Sequence, residues 1–195
     1  MTRAKVSKSE MPDFPTHRGV RFRVATLEDV PAMQALIERS ARALSRDDYS
    51  DEQIEAALGG AWGVDSQLIR DRSYFIGEHA QRAVACGGWS WRKTLFGGDA
   101  QLGREPETLD PRQEAARIRA FFVDPEWARI GLGRVLLELC EREARAAGFS
   151  SAALVATLPG ERLYAACGYQ SEGARSYPLG EGKSIVFVPM RKLLG

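Results

Sequence analysis

The stretch that decides the fold is FFVDPEWARIGLGRVLL, residues 121–137. It completes the segment AARIRAFFV, residues 115–123, which predicts a strand that is apolar on both faces, as a central strand covered by helices is. After the turn, apolar side chains recur at helical spacing and form one stripe: Leu132, Val135, Leu136, Leu139 and Cys140. A buried strand that leads through a turn into an amphipathic helix indicates an α/β fold.

The turn between this strand and this helix has the composition of an anion-binding site. A helix N-terminus presents unpaired N–H groups and the positive end of a dipole, and Gly131 and Gly133 let a diphosphate approach the backbone. The N–H groups of residues 129–134 can form a nest, to which Arg129 and Arg134 add full charge. The turn lacks the third glycine of a dinucleotide-binding loop and the Gly-Lys-Ser or Gly-Lys-Thr of a Walker loop. A purely structural glycine turn is the alternative.

The pattern resembles the acetyl-CoA motif of the GCN5-related N-acetyltransferase (GNAT) superfamily, in which an apolar strand ends in Val and a two-glycine turn follows. VRFRVATLEDVPAM, residues 20–33, is similar to that family's first strand and helix, and LYAACGY, residues 163–169, to its second CoA-side helix. The resemblance implies the GNAT acyl-CoA N-acyltransferase fold, a mixed, mostly antiparallel sheet of about seven strands, splayed in the middle and flanked by helices. The motif's Gln or Arg, three residues before the first glycine, is replaced here by Ala128, which removes one side-chain contact to the diphosphate.

The resemblance also implies acetyl-CoA as cosubstrate. The strand that ends at Val123 then separates from the strand that ends near Thr157, and the pantetheine arm inserts between them. A backbone N–H near Val123 donates to the thioester oxygen as it gains charge, and one such donor is worth about 3 kcal/mol of barrier. The residues expected to contact the cofactor are Phe122, Val123, Arg129, Ile130, Gly131, Leu132, Gly133, Arg134 and Leu158.

Tyr164 is the candidate catalytic residue. It lies four residues before Gly168, where many members of the family have a tyrosine near the CoA sulfur. A phenol, with a pKa of about 10, is close enough to a thiol, with a pKa of about 8.5, to assist departure of the thiolate. The alternative role is packing of the short helix on the sheet.

The general base is left unassigned. Glu78, at the end of a strand, and Glu114, at the entry to the central strand, are two weak candidates. Arg117 and Arg119 either receive a substrate carboxylate or pair with acidic neighbours.

Local patterns place the remaining elements. Thr26 caps a helix that begins near Val30, and a hairpin turns near Gln81. Trp89 and Trp91, in this hairpin, either wall the acceptor site or pack in the core or in a dimer. Further helices are expected over 51–58 and 65–69, and further strands over 151–157, 170–176 and 184–189. The aperiodic segment 92–112, together with the helices between 45 and 69, is expected to form the acceptor side.

Composition excludes several classes of function. With 27 Lys and Arg against 26 Asp and Glu, the formal charge is +1, which gives no field for a nucleic acid. The three cysteines, Cys86, Cys140 and Cys167, lack metal-ligand spacing and favour a reducing compartment. The two histidines, His17 and His79, are expected on the surface or in a strand, and no metal site is expected.

Residues 1–18 are polar and are expected to form a disordered leader, with a single GNAT domain over 19–195. No window is long and apolar enough for a membrane span, so a cytoplasmic protein is expected. Together these features predict an enzyme that transfers acetyl directly from acetyl-CoA to a primary amine of a small molecule. A non-catalytic acyl-CoA-binding sensor or subunit is the alternative, transfer of larger acyl groups is a third possibility, and a homodimer is possible.

Overall fold

A computed structural model describes residues 14–100 and 107–195, and these residues form nine strands and five helices. The strands are β1 Thr16–His17, β2 Val20–Val24, β3 Tyr74–His79, β4 Arg82–Ser90, β5 Ala116–Val123, β6 Ser151–Thr157, β7 Gln170–Ser171, β8 Arg175–Gly180 and β9 Lys183–Leu193. The helices are α1 Val30–Leu44, α2 Asp51–Leu58, α3 Ser66–Arg70, α4 Leu132–Ala146 and α5 Leu158–Ala166.

The strands form one sheet in the order β1-β2-β3-β4-β5-β6-β9-β7, and β8 also pairs with β9. All neighbours are antiparallel except β5 and β6, which are parallel. This parallel ladder has only two pairs, Ala116↔Ala152 and Arg117↔Ala153. Because β5 stays paired with β4 to Val123, and β6 with β9 to Thr157, the two strands separate beyond these pairs. The sheet is therefore open in its middle.

Helices cover both faces of the sheet. Residues of α1, α2 and α3 join one buried apolar cluster, and residues of α4 and α5 join the other. Polar side chains start several helices: Ser50 accepts from the Gln53 N–H before α2, Asp65 from the Gln67 N–H before α3, and Thr157 from the Gly160 N–H before α5. The expected fold class is confirmed, with more strands than the seven predicted.

Two predicted segments differ in detail. The single strand expected over 170–176 is two strands, β7 and β8, which pair with different parts of β9. The predicted leader, 1–18, lies outside the described residues as far as residue 13, and its last residues include β1, which pairs with β2. The ordered sheet therefore begins before residue 19.

Within 14–100 and 107–195, no helix has both the length and the hydropathy to cross a bilayer. The same residues contain no cluster of three or more His, Cys, Asp or Glu side chains arranged to hold a metal ion.

Candidate active site

A cavity of about 620 Å³ lies where β5 and β6 separate. On one side it reaches the turn before α4 and the start of α5, including Arg129, Gly131 and Thr157. On the other side it reaches the connections that follow α1 and α2 and the segment after β4, including Asp48, Trp62 and Phe96. The cavity thus connects the two faces of the sheet, so two ligands that enter from opposite faces can meet in its middle.

The turn before α4 presents a row of unused backbone donors. Arg129 and Gly131 have positive φ, +61° and +95°, and α4 begins at Leu132 without a side-chain cap. No N–H of residues 129–134 donates to an acceptor on another described residue. The N-terminus of a 15-residue helix adds the positive end of its dipole, and three guanidinium groups line this end of the cavity: Arg129, Arg134 and Arg162. This arrangement suits a diphosphate.

The two glycines of the turn have different surroundings. Gly131 has φ +95°, a left-handed conformation that is costly for other residues. Gly133 sits in the helix, where a Cβ would lie 2.8 Å from Leu163 Cδ2, so its small size lets α5 pack closely on α4. The expected role of Gly133, to let a diphosphate approach the backbone, stays a prediction, and the packing of α5 on α4 is a further reason for a small residue there.

His17 braces the turn from β1. Its Nε2 lies 2.8 Å from the Ile130 carbonyl oxygen, and it donates there as the Nε2–H tautomer. The carbonyl of Ile130 and the N–H of Gly131 belong to one planar trans peptide, so they point in opposite directions. By holding the carbonyl, His17 fixes the direction of the Gly131 N–H.

A β-bulge in β5 faces the cavity. The pairing with β4 shifts between Cys86 and Gly88, and Ala120 adopts φ +56°, which is unusual for a residue with a Cβ. A Cβ on Gly87 would lie 2.7 Å from the Phe121 ring, so glycine is needed opposite the bulge. The buried Tyr74 hydroxyl donates to the Ala120 carbonyl at 3.4 Å. The bulge interrupts the ladder with β4, and the residues on both sides of it, Ile118 to Val123, line the cavity.

Tyr164 lines the same cavity from α5. Its ring lies between Phe121 and Tyr169, with centroid distances of 6.1 and 5.9 Å. No described residue hydrogen-bonds its hydroxyl, which leaves that group for a ligand. Burial raises the pKa of Tyr164 well above that of a free phenol, with smaller contributions from Cys140 and Cys167. The side chain is therefore a neutral hydrogen-bond donor in the working range of pH.

These features were compared with known proteins. The family model described as the acetyltransferase (GNAT) family matches residues 31–169. The chain belongs to the GNAT family. Among curated proteins, none matches it.

Solved GNAT structures share the fold. A GCN5-related N-acetyltransferase from Rhodopseudomonas palustris superposes with a TM-score of 0.66 at 19% identity, over 92% of this chain and 98% of that one. PaiA N-acetyltransferase from Thermoplasma acidophilum, in complex with coenzyme A, has a TM-score of 0.60 at 12% identity, over 89% and 98%. YncA from Salmonella typhimurium, with acetyl-CoA, has a TM-score of 0.59 at 14% identity, over 91% and 95%. The resemblance inferred from the two-glycine turn is confirmed at the level of family and fold.

Most of the residues expected at the GNAT cofactor site line the cavity, namely Phe122, Val123, Arg129, Gly131, Leu132, Gly133, Arg134, Leu158 and the catalytic candidate Tyr164. Ile130 does not line it, because its side chain packs in the core and its carbonyl faces His17. The Leu158 N–H donates to the Tyr49 hydroxyl at 2.8 Å, so the contribution of Leu158 to a ligand is limited to its other groups.

The two candidate bases lie away from the main cavity, whereas Arg119 lines it. Glu78 accepts two hydrogen bonds from the Arg23 guanidinium, at 2.9 and 2.6 Å, on the β2–β3 side of the sheet. Glu114 accepts from the Asp110 N–H at 2.8 Å and lines a second cavity. Arg119 is buried against Asp65, with Nη2 and Oδ2 2.7 Å apart, which is the acidic pairing considered as its alternative role. Neither carboxylate lines the main cavity.

The two tryptophans of the hairpin pack in the apolar core. Trp89 is buried and packs on Phe149 and Trp91, at centroid distances of 6.2 and 5.4 Å. They join the apolar cluster on the α4 side, and neither lines the main cavity.

Three site residues were not identified from the sequence. Arg162 lines the cavity one turn into α5, and its charge gave no distinguishing signal. His17 was expected to be an ordinary surface or strand residue, and its separation of 113 positions from Ile130 leaves no local sign of their contact. Tyr49 links Leu158 to the Val186 carbonyl, to which it donates at 2.7 Å, and burial raises its pKa to about 12. Such long-range contacts leave no local pattern.

Proposed function

We propose that this GNAT protein is an acetyl-CoA-dependent N-acetyltransferase that transfers acetyl directly to a primary amine of a small molecule. The observation that carries the proposal is the single cavity that joins an anion-binding turn on one face of the sheet to an apolar chamber on the other. The CoA and acetyl-CoA bound in the PaiA and YncA structures support the choice of cosubstrate.

Each part of the cavity has a role in this proposal. The turn and its arginines hold the diphosphate, and the pantetheine arm runs between β5 and β6. A backbone N–H at the bulge donates to the thioester oxygen as the amine attacks, and Tyr164 donates to the leaving sulfur. The amine enters past Trp62 and Phe96, and its proton leaves through water near the exposed carboxylates of Asp47 and Asp48.

Direct transfer is favoured over a covalent enzyme intermediate. None of Cys86, Cys140 and Cys167 lines the cavity, and burial raises the pKa of the Cys86 thiol to about 12. A buried thiol with a raised pKa is a poor nucleophile. All three thiols are free, which suits the cytoplasmic location that we propose. We also propose a single domain, which includes β1 and therefore begins before residue 19.

A non-catalytic acyl-CoA-binding protein is the second candidate. Ala128 lines the cavity at the position where the family motif has Gln or Arg, so one polar contact to the cofactor is absent. That no general base is assigned also favours a non-catalytic protein.

Calorimetry and thiol release separate the two candidates. Acetyl-CoA is expected to bind with a Kd of roughly 1–100 µM, and acetylpantetheine, which lacks the diphosphate, at least about 10-fold more weakly. Thiol release that depends on a primary amine supports the enzyme. Binding without release across an amine panel supports the sensor, and the absence of acetyl-CoA binding at millimolar concentration contradicts both.

His17→Ala is expected to weaken acetyl-CoA binding about 10-fold, because the Ile130 peptide loses the bond that orients the Gly131 N–H. His17→Gln, whose amide N–H can reach the same carbonyl, is the matched control and should retain most of the affinity. Both variants should unfold at nearly the wild-type temperature. Equal losses in both variants would show that His17 acts in some way other than through this hydrogen bond.

A further inference from the structure

Aromatic rings line the acceptor half of the main cavity, the half that includes Trp62 and Phe96. Trp62 and Phe187 are buried, and their ring centroids are 6.3 Å apart. Phe96 lies 5.8 Å from Phe187, and Tyr177, outside this cavity, packs on both at 5.2 and 5.6 Å. The three rings that line the cavity, Trp62, Phe96 and Phe187, are called the aromatic wall below.

Tyr49, in the connection between α1 and α2, holds the aromatic wall in place. Its ring packs edge-on against Trp62 and Phe187, at centroid distances of 5.9 and 6.5 Å. Its hydroxyl accepts from the Leu158 N–H at 2.8 Å and donates to the Val186 carbonyl at 2.7 Å, so its one proton is already in use. The wall is therefore formed before a ligand arrives, which lowers the entropic cost of binding one.

Apolar side chains continue from the aromatic wall to the surface. Leu44, at the end of α1, and Leu95, after β4, both line the cavity and are 37% and 42% exposed. They give an apolar ligand a continuous path from solvent to the wall.

Two carboxylates lie at the same mouth of the cavity. Asp47 and Asp48 line it and are exposed. Asp47 also lies 3.9 Å from Arg46, but both side chains are so exposed that this pairing is weak. The mouth therefore attracts an ammonium group.

The acceptor half offers little to an anion. Within residues 14–100 and 107–195, Arg119 is the one cationic side chain that lines this half. It is held by Asp65, 2.7 Å away, and donates to the Gly97 carbonyl at 2.9 Å. Arg117, the other arginine considered as a carboxylate ligand, lines the second cavity instead. A carboxylate on the acceptor would therefore lose its hydration without gaining a counter-ion.

We propose that the acceptor is an aromatic primary amine without an anionic group. Its ring packs on the aromatic wall, where edge-to-face contacts with three fixed rings are available, and its amine points to the bulge in β5. The proposal rests on the acetyl transfer proposed above and names its acceptor class.

A long acyl chain of the cofactor is the other molecule that an apolar wall could hold. Such a chain enters with the cofactor, from the opposite face of the sheet, and needs neither a mouth of its own nor carboxylates there. Leu44, Leu95, Asp47 and Asp48 form such a mouth, which favours a separate ligand that carries a positive charge.

Calorimetry tests the acceptor class without turnover. With and without CoA present, 2-phenylethylamine is expected to bind at least 10-fold more tightly than ethylamine, because its ring is buried against the wall. 2-Cyclohexylethylamine, which lacks the aromatic contacts, should bind about 2- to 12-fold more weakly than 2-phenylethylamine. Phenylalanine, which adds a carboxylate beside the amine, should bind at least 10-fold more weakly than 2-phenylethylamine.

Two variants locate the binding site. Phe96→Leu removes a ring of the wall and should lower the affinity for 2-phenylethylamine about 2- to 12-fold. Leu44→Asn makes the mouth polar and should lower it at least 3-fold, whereas Leu27→Asn, at an exposed leucine outside both cavities, should not change it. Phe96 and Leu44 lie on different elements, so a folding defect in one variant leaves the other as a test.

Equal affinity for 2-phenylethylamine and ethylamine would overturn the proposal, as would tighter binding of phenylalanine or an affinity that survives both substitutions. Octanoyl-CoA that binds more tightly than acetyl-CoA, and loses this advantage in Phe96→Leu, would assign the wall to the acyl chain and contradict the proposal.

Thiol release measured with the same amines separates this proposal from the acetyl transfer. If 2-phenylethylamine binds at the wall but acetyl-CoA neither binds nor releases thiol, the acetyl transfer is wrong and the aromatic amine site stands. If thiol is released equally well with 2-phenylethylamine and ethylamine, the transfer stands and the aromatic amine site is wrong.

Discussion

Asp65→Asn is expected to lower the free energy of unfolding by about 3–5 kcal/mol, because it leaves the Arg119 guanidinium buried without its counter-ion. The two side chains are 0% and 2% exposed, and Arg119 Nη2 lies 2.7 Å from Asp65 Oδ2. Asparagine keeps the size of the side chain and can still accept the Gln67 N–H that starts α3, so the change isolates the charge. For a chain of this length, thermal unfolding should begin about 10–15 °C lower.

Two controls make this result specific. Adding Arg119→Met to Asp65→Asn removes the buried positive charge and should recover most of the lost free energy of unfolding. A buried ion pair can be exchanged for apolar groups at little net cost. The same change at an exposed pair, Glu55→Gln opposite Arg42, should leave the unfolding midpoint in place. A loss below about 1 kcal/mol for Asp65→Asn would show that water or other groups already compensate Arg119.

Elements with local signals were predictable. The helix over 51–58 has a serine cap before it and a Gly-Gly pair after it, and the structure places α2 at the same residues, Asp51–Leu58. The hairpin at Gln81 and the strand–turn–helix around Gly131 also follow from short stretches of sequence. Such signals involve only a few neighbouring residues, so they can be recognised in a single sequence.

The bulge in β5 was not predicted, although the sequence carried a sign of it. Strict alternation along β5 fails just after Arg119: Arg119 pairs with Gly88 and Phe122 with Cys86, so Ala120 and Phe121 lie opposite Gly87 alone. The signal was the glycine pair at Gly87 and Gly88 in the neighbouring strand, since glycine within a strand often marks a bulge. It could have been used only once β4 was known to pair with β5.

Contacts between distant segments account for the rest. His17 and Ile130 are 113 residues apart, and Tyr49 and Leu158 are 109 apart. Their partners depend on which strands lie side by side, which no single segment specifies. The acceptor side of the cavity consists largely of such contacts, so the sequence indicated the cofactor end of the site better than the acceptor end.

Tyr164→Phe is expected to lower kcat for acetyl transfer by about 10- to 150-fold, the value of one hydrogen bond of about 1.5–3 kcal/mol to a charged leaving group. The ring keeps its contacts with Phe121 and Tyr169, so the KM for acetyl-CoA and the unfolding temperature should change little. Tyr169→Phe is the matched control. Tyr169 packs on Tyr164 but does not line the cavity, and its loss should leave kcat near the wild-type value.

The pH dependence distinguishes hydrogen bonding from full proton transfer. Burial raises the pKa of Tyr164, so the phenol stays protonated far above neutrality and is a weaker acid than the CoA thiol. In the proposed mechanism it stabilises the departing thiolate as a donor, and the proton itself comes from elsewhere. The contribution of Tyr164 should be constant up to about pH 10, and the ratio of wild-type to Tyr164→Phe kcat should not vary between pH 6 and about pH 9. A ratio that falls toward 1 in that range would mean that Tyr164 ionises there, and the donor role would be wrong.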